Sequence, residues 1–305
     1  MIIGEEYMKK VSVNIFAFLM ALLLIACAGQ SSVDKDDDKE GVAEEIAALH
    51  AEMNKLHGKT SGYYANVAIA DEEYDKAYGL HYKECKLGSV IECLNAYYIG
   101  EERALSNYDS AEFAEDLTKS IVKNGKACKK GESLGCVNLF FAFEALDDNN
   151  EFLKQIIAPS LKHYNDEMIA DKALNLTKKE CERDDATSCF FHARMLRIID
   201  HYADVDYFVT KGLDLGYVIA PFVRLPMQSP QTIDYFKRSC ALNEAMSCRY
   251  VAYWFDKYEN NKNLAKSFYQ KSCKLGLQVA CDEMGKTSKA AQQVDEVGAP
   301  VIKRR

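Results

Sequence analysis

The chain lacks an excess of positive charge. Its 38 Lys and Arg stand against 46 Asp and Glu, a formal net charge of -8. That balance argues against a nucleic-acid partner or an anionic membrane surface, since both call for a cationic face. The chain also lacks an apolar run of the ~20 residues that a membrane span needs; the longest, Val11 to Ala26, is shorter. No phosphate loop, flavin fingerprint or nicotinamide fingerprint is present, and no cofactor is expected. No His-x-His-x-Asp cluster exists, and His50, His57, His81, His163, His192 and His201 keep no constant distance from the cysteines, so no metal is expected. Proline is scarce, with five residues, while 48% of the chain is apolar, as suits a soluble body.

What the chain has is cysteine in a fixed pattern. Ten of its eleven cysteines form five pairs with seven residues between the members: Cys85/Cys93, Cys128/Cys136, Cys181/Cys189, Cys240/Cys248 and Cys273/Cys281. The surrounding segments match as well: KECKLGSVIEC, KACKKGESLGC, KECERDDATSC, RSCALNEAMSC and KSCKLGLQVAC. One unit has been copied, which is the signature of a repeat array. Seven intervening residues is not zinc-ligand spacing.

The eleventh cysteine, Cys27, bears on location. Met8-Lys9-Lys10 and the apolar run after it have the layout of a secretory signal, and Leu24-Ile25-Ala26-Cys27 resembles the bacterial lipobox. The resemblance implies a signal peptide over 1–26 and lipidation of Cys27. Ala28, in place of an Asp, then implies anchoring in the outer membrane. The alternative is an uncleaved signal-anchor helix. Glu5 and Glu6 are the wrong charge for a signal's start, which leaves Met8 beside Met1 as a start of translation. In an exported chain, ten evenly paired cysteines read as disulfides.

Residues 27–41 are small, polar and acidic and read as a flexible tether. Over 42–70 an N-terminal capping region is expected. There Val42, Ile46, Leu49, Met53 and Leu56 make a narrow helical stripe, ended by Gly58. A short self-associating coil is the other reading of that stripe. Residues 71–288 form the array of about six helix pairs, with an extra helix near 149–165, and 289–305 form a mobile tail. One pair is hidden: Thr210 to Pro221 keeps the repeat pattern with Leu213 and Pro221 at the cysteine positions.

Aligned on the first cysteine, the repeats reveal their geometry. Three residues after it stand Gly88, Gly131, Asp184, Asn243 and Gly276, types that tolerate the left-handed conformation ending a helix. The first cysteine therefore lies in the last turn of helix A and the second early in an antiparallel helix B. Eight residues before it stand the small Ala77, Ser120, Ala173, Thr232 and Ala265, and five before it Leu80, Lys123, Leu176, Tyr235 and Phe268. These, with the helix B aromatics, read as core. The fold class is all-α.

The units resemble Sel-one-like repeats of the disulfide-bridged kind in the Helicobacter cysteine-rich protein family. The motif is Lys two before the first cysteine, Gly three after it, and the second cysteine at the fixed distance, over roughly Asp71 to Met284. The resemblance implies a right-handed α-solenoid of disulfide-bridged helix hairpins with a concave groove. It also implies a label of penicillin-binding protein or β-lactamase. Fragments of a serine β-lactamase motif set exist: Ser120-x-x-Lys123, Tyr64-Ala-Asn66 and Lys59-Thr-Ser-Gly62. They run in the wrong order and have no sheet to assemble them, so no catalytic residue is assigned. A basic residue two before each first cysteine (Lys83, Lys126, Lys179, Arg238, Lys271, and Lys211 in the hidden unit) reads as a helix-dipole partner, or else as a ligand-binding row. Asn95 and Asn138, two after the second cysteine, are groove candidates for holding a peptide backbone; an inter-repeat hydrogen bond is the other reading. The expected function is an exported scaffold binding a peptide, a protein or a peptidoglycan fragment, touching membrane through its lipid only. A β-lactam-binding protein is the alternative.

Overall fold

The computed structural model describes residues 41–147, 150–219 and 230–285. The signal peptide, Cys27, the tether, the tail and Pro221 lie outside the described residues.

The repeats begin at α3 (Tyr74–Leu87) and α4 (Val90–Glu102), and continue with α5 (Ser110–Lys130) and α6 (Ser133–Asp147). An added helix, α7 (Glu151–Leu161), follows where one was expected, between Asn150 and Asn165. The third pair is α8 (Asp166–Glu182) and α9 (Ala186–Ile198). Helix α10 (Val205–Asp214) opens the cysteine-free unit, and α11 (Pro230–Ala241) and α12 (Ala245–Lys257) make the fifth. The sixth pairs α13 (Lys262–Lys274) with a last helix, α14 (278–285). Ahead of them stand α1 (Gly41–Lys55) and α2 (Ser61–Ala70). No strand occurs among the described residues.

Local chemistry sets these boundaries. Asp109, Asn150, Asn165, Asp185 and Asn261 each cap a helix start by accepting a backbone N–H two or three residues on. Gly88, Gly131, Asp184, Asn243 and Gly276 all take positive φ, as does Gly216 of the cysteine-free unit. The chain reverses there and brings the two cysteines of each pair together. The bridges are Cys85–Cys93, Cys128–Cys136, Cys181–Cys189, Cys240–Cys248 and Cys273–Cys281, each within its own hairpin, with Cα atoms 4.5 to 4.8 Å apart. The second cysteine sits in the first turn or so of helix B in every case: Cys93 on α4, Cys136 on α6, Cys189 on α9, Cys248 on α12 and Cys281 on α14. The first four bridges are buried, whereas Cys273 and Cys281 are half-buried because no further repeat covers the last hairpin among the described residues.

The small position eight before the first cysteine is buried in every repeat. So is the position four before it, held by His81, Asn124, Thr177, Phe236 and Tyr269. The row of basic residues joins neighbours. Lys271 Nζ donates to the Cys240 carbonyl at 2.6 Å, Lys211 pairs with Asp184 at 3.1 Å, and Arg238 pairs with Asp214. Each reaches back to the end of helix A in the preceding repeat, where the helix dipole favours a cation. For these three, the row acts as inter-repeat stapling.

Helices α1 and α2 depart from the expected cap on the first repeat. The stripe residues Ile46 and Leu49 are buried as anticipated, but the segment passes the A–B turn of all six repeats in order. Ile46 sits against Gly88. His50 meets Ser133 and then Asp185, which Asn54 also bonds. The His57 carbonyl accepts from the Val218 N–H at 3.3 Å. Lys59 Nζ donates to the Asn243 carbonyl, Tyr63 Oη donates to Glu244 at 2.7 Å, and Asp71 accepts from the Val279 N–H at 2.8 Å. Helix α2 also packs on α3 of the first repeat. Part of the physical reason is that the turns present helix B N-termini whose N–H groups find acceptors on this segment: Thr187 on Asn54, Val218 on the His57 carbonyl and Val279 on Asp71.

Candidate binding cavity beneath the N-terminal segment

Helices α4, α6, α9 and α12 are the B helices of repeats one, two, three and five. They converge on one cavity of about 420 Å³, roofed by the α1–α2 segment through Met53, Gly58, Thr60, Tyr63 and Asn66. The cavity therefore lies between the B-helix face of the array and the N-terminal segment. Three neighbours along α4 and α9 give the cavity its charge, Glu92, Arg194 and Arg197, with the neutral Asn95 beside them.

A buried polar chain stands behind this wall. His81, fully buried on α3, hydrogen-bonds through Nδ1 to Glu92, and Asn95 Nδ2 donates to the same carboxylate at 3.2 Å. Burial raises the Glu92 carboxyl, but the His81 hydrogen bond and charge outweigh it, and the net shift is downward. Nearby Glu84 accepts from the Gly62 N–H at 3.0 Å and shifts upward, through burial first and the Glu92 charge second. Burial lowers the Arg194 guanidinium, Glu92 opposes that, and Arg197 adds to it. The Arg194 guanidinium lies over the Phe141 ring, 4.4 Å from its centre.

A second cluster fastens α1. His50 Nε2 lies 3.1 Å from Asp185 Oδ1, and its Nδ1 lies 3.4 Å from Ser133 Oγ. The order Ser, His, Asp resembles a hydrolytic triad, but Ser133 is 1% exposed and does not line the cavity, so a substrate has no approach to its hydroxyl. Burial lowers the His50 pKa and the Asp185 hydrogen bond and charge reverse this, leaving it raised. Burial likewise opposes ionisation of Asp185, yet His50, the Ser188 N–H and Asn54 bring its pKa to about 2.

The structure sorts the sequence-predicted residues into three places. Of the two groove candidates, Asn95 lines the cavity. Asn138 is fully buried between repeats: its Oδ1 accepts from the Val90 N–H at 3.0 Å and its Nδ2 donates to Asn124 at 3.1 Å. It takes the inter-repeat reading, and the groove assignment of Asn138 is corrected. The ten paired cysteines stand apart from the cavity. Neither the first members, Cys85, Cys128, Cys181, Cys240 and Cys273, nor the second members, Cys93, Cys136, Cys189, Cys248 and Cys281, line it. Their sulfurs are consumed in the hairpin bridges, so they shape the wall without touching what it encloses. Ser120 donates to the Cys85 carbonyl at 3.0 Å and Lys123 to the Leu87 carbonyl, so each group of the Ser-x-x-Lys fragment bonds elsewhere. Among the described residues no His, Cys, Asp and Glu group is arranged to hold a metal, and no helix is long and apolar enough to cross a membrane.

The sequence reading missed His81, Glu84, Glu92 and Arg194, although the repeat register held the signal. Five residues after the second cysteine stand Tyr98, Phe141 and Tyr253, but Arg194 in repeat three and Lys286 in repeat six. Just before the second cysteine stand Gly135, Ser188, Ser247 and Ala280, but Glu92 in repeat one.

The disulfide-bridged hairpin array is the architecture that the Sel-one-like resemblance implies. No protein-family model and no curated protein matches the chain. Two solved structures are similar at low identity. One is a Sel1 repeat protein from Oxalobacter formigenes, 11% identical with a TM-score of 0.32, over 84% of this chain and 96% of that one. The other is a protective antigen of uropathogenic Escherichia coli strains displaying an SLR fold, 14% identical with a TM-score of 0.32, over 86% of this chain and 58% of that one.

Proposed function

We propose that the protein is an exported, non-enzymatic repeat scaffold whose inner face binds a peptide, a protein or a cell-wall fragment. One observation carries the reading: B helices from four repeats contribute side chains to a single cavity, as a solenoid's inner binding face does. Five disulfides fit an oxidising compartment outside the cytosol. Lipidation at Cys27 would tether the array to the outer membrane, with the acidic segment 27–41 as spacer.

Photo-crosslinking tests the reading. A benzophenone side chain replaces Asn95 or Tyr250 at the cavity, and Tyr207, which is 57% exposed on α10, as control. Adducts formed in the producing cell are expected from the first two positions and not from the third. Equal adducts at all three, or adducts only at Tyr207, would contradict an inner-face site.

A further inference from the structure

The charge of the cavity wall runs against that of the chain. In a protein of net charge -8, the cavity is lined by the guanidiniums of Arg194 and Arg197 and by one carboxylate, Glu92. The carboxylate is already engaged, since Glu92 bonds His81 and Asn95. Arg194 is not: among the described residues no carboxylate lies within ion-pair distance of it, and its flat face rests on Phe141. That stacking leaves the guanidinium edge, with its fork of donors, for another partner. A guanidinium buried without a hydrogen-bonded anion is costly unless a ligand completes it, and Glu92 supplies only longer-range charge.

Around this cation the walls are apolar, with Ile91, Leu134, Phe190, Phe191 and Met246. A volume of about 420 Å³ suits a small ligand or the end of a longer one. Resting on the inner-face reading above, we propose that the cavity binds a monoanionic carboxylate attached to an apolar group, with Arg194 as its bidentate anchor. The carboxylate comes either from the C-terminus of a peptide or from a free apolar amino acid. Both offer the same fork-to-fork geometry to Arg194.

Isothermal titration of the purified mature protein with four probes tests this: N-acetyl-phenylalanine, its amide, free phenylalanine and the tripeptide Ala-Ala-Phe. The acid is expected to bind at least tenfold more tightly than the amide. Free phenylalanine binding above the tripeptide identifies an amino-acid ligand, and the reverse identifies a peptide end. Arg194→Gln should lose at least tenfold in affinity for the acid with its melting temperature unchanged. Arg194→Lys, which keeps the charge and loses the fork, should lose less. Acid and amide binding equally, or neither binding, would overturn the carboxylate assignment on the unaltered protein, whatever the variants do. If that happens while crosslinks still form at Asn95 and Tyr250, the inner-face reading stands and only the ligand class is wrong. If the crosslinks also fail, the wider reading falls with it.

Discussion

His50 and Asp185 hold α1 to the third repeat, and their protonation gives that hold a pH window. Asp185 is depressed from 3.8 to about 2, so its contribution is complete above its unfolded pKa and is lost as pH falls through about 2. A shift of that size corresponds to roughly 2 kcal/mol. His50 is raised above 6.5, so its contribution is present below 6.5 and is lost as pH rises through the higher folded value. Glu180 and Glu132 face His50 along with Asp185 and reinforce the sign. The melting-temperature gap between wild type and His50→Gln should therefore be widest below the ordinary imidazole pKa of 6.5 and shrink as pH rises above it. A gap that widens at alkaline pH would contradict it. Asn138→Ala should cost about 1–3 kcal/mol, since it strands the buried Val90 N–H and the Asn124 amide. Asn95→Ala, at the cavity wall, should cost far less; denaturant titration separates the two. The sequence shows both asparagines in one register, and only the path of the chain tells the cavity residue from the buried one. Arg194 was legible as a departure from the aromatic residues that hold this position in repeats one, two and five, because a repeat supplies its own reference.

At the scale of the element, almost everything was written in the cysteine spacing. Once the pairs align, the residue three places on must end a helix, and all five such residues have positive φ. The cysteine-free unit obeys the same rule through Gly216, which shows that the turn geometry does not depend on the bridge. Each bridge closes a loop of about nine residues, worth roughly 2.6 kcal/mol in the chain-entropy model. The double variant Cys181→Ala/Cys189→Ala should thus remain folded but lose about that much stability by denaturant titration. Its non-reducing peptide map should still show Cys85–Cys93, Cys128–Cys136, Cys240–Cys248 and Cys273–Cys281. A scrambled map would show that the hairpins depend on their bridges for register. What the elements did not reveal was the placement of α1. An apolar stripe states that a helix face is buried and not which neighbour buries it. The polar residues His50, Asn54 and Tyr63, which do choose the neighbour, lie off the stripe.

For the whole molecule, the account predicts an anchored array of repeats closed by its own N-terminal helices. Cys27→Ser should abolish palmitate labelling and release the protein into the soluble fraction; unchanged labelling would show that Cys27 is not the anchor. The array itself was legible in the sequence because each repeat contacts its neighbours through the same positions. Its closure was not, since the contacts between residues 46–71 and the successive turns join positions far apart in the chain and share no repeated motif. Zero-length carbodiimide crosslinking of the native protein tests the closure most directly. Glu45 pairs with Lys123, while Glu115 and Lys119, 2.6 Å apart along one helix, serve as the internal standard. Peptide mass spectrometry should find both products. Recovery of Glu115–Lys119 without Glu45–Lys123 would show that α1 does not lie across the repeats, and the closed array would be wrong.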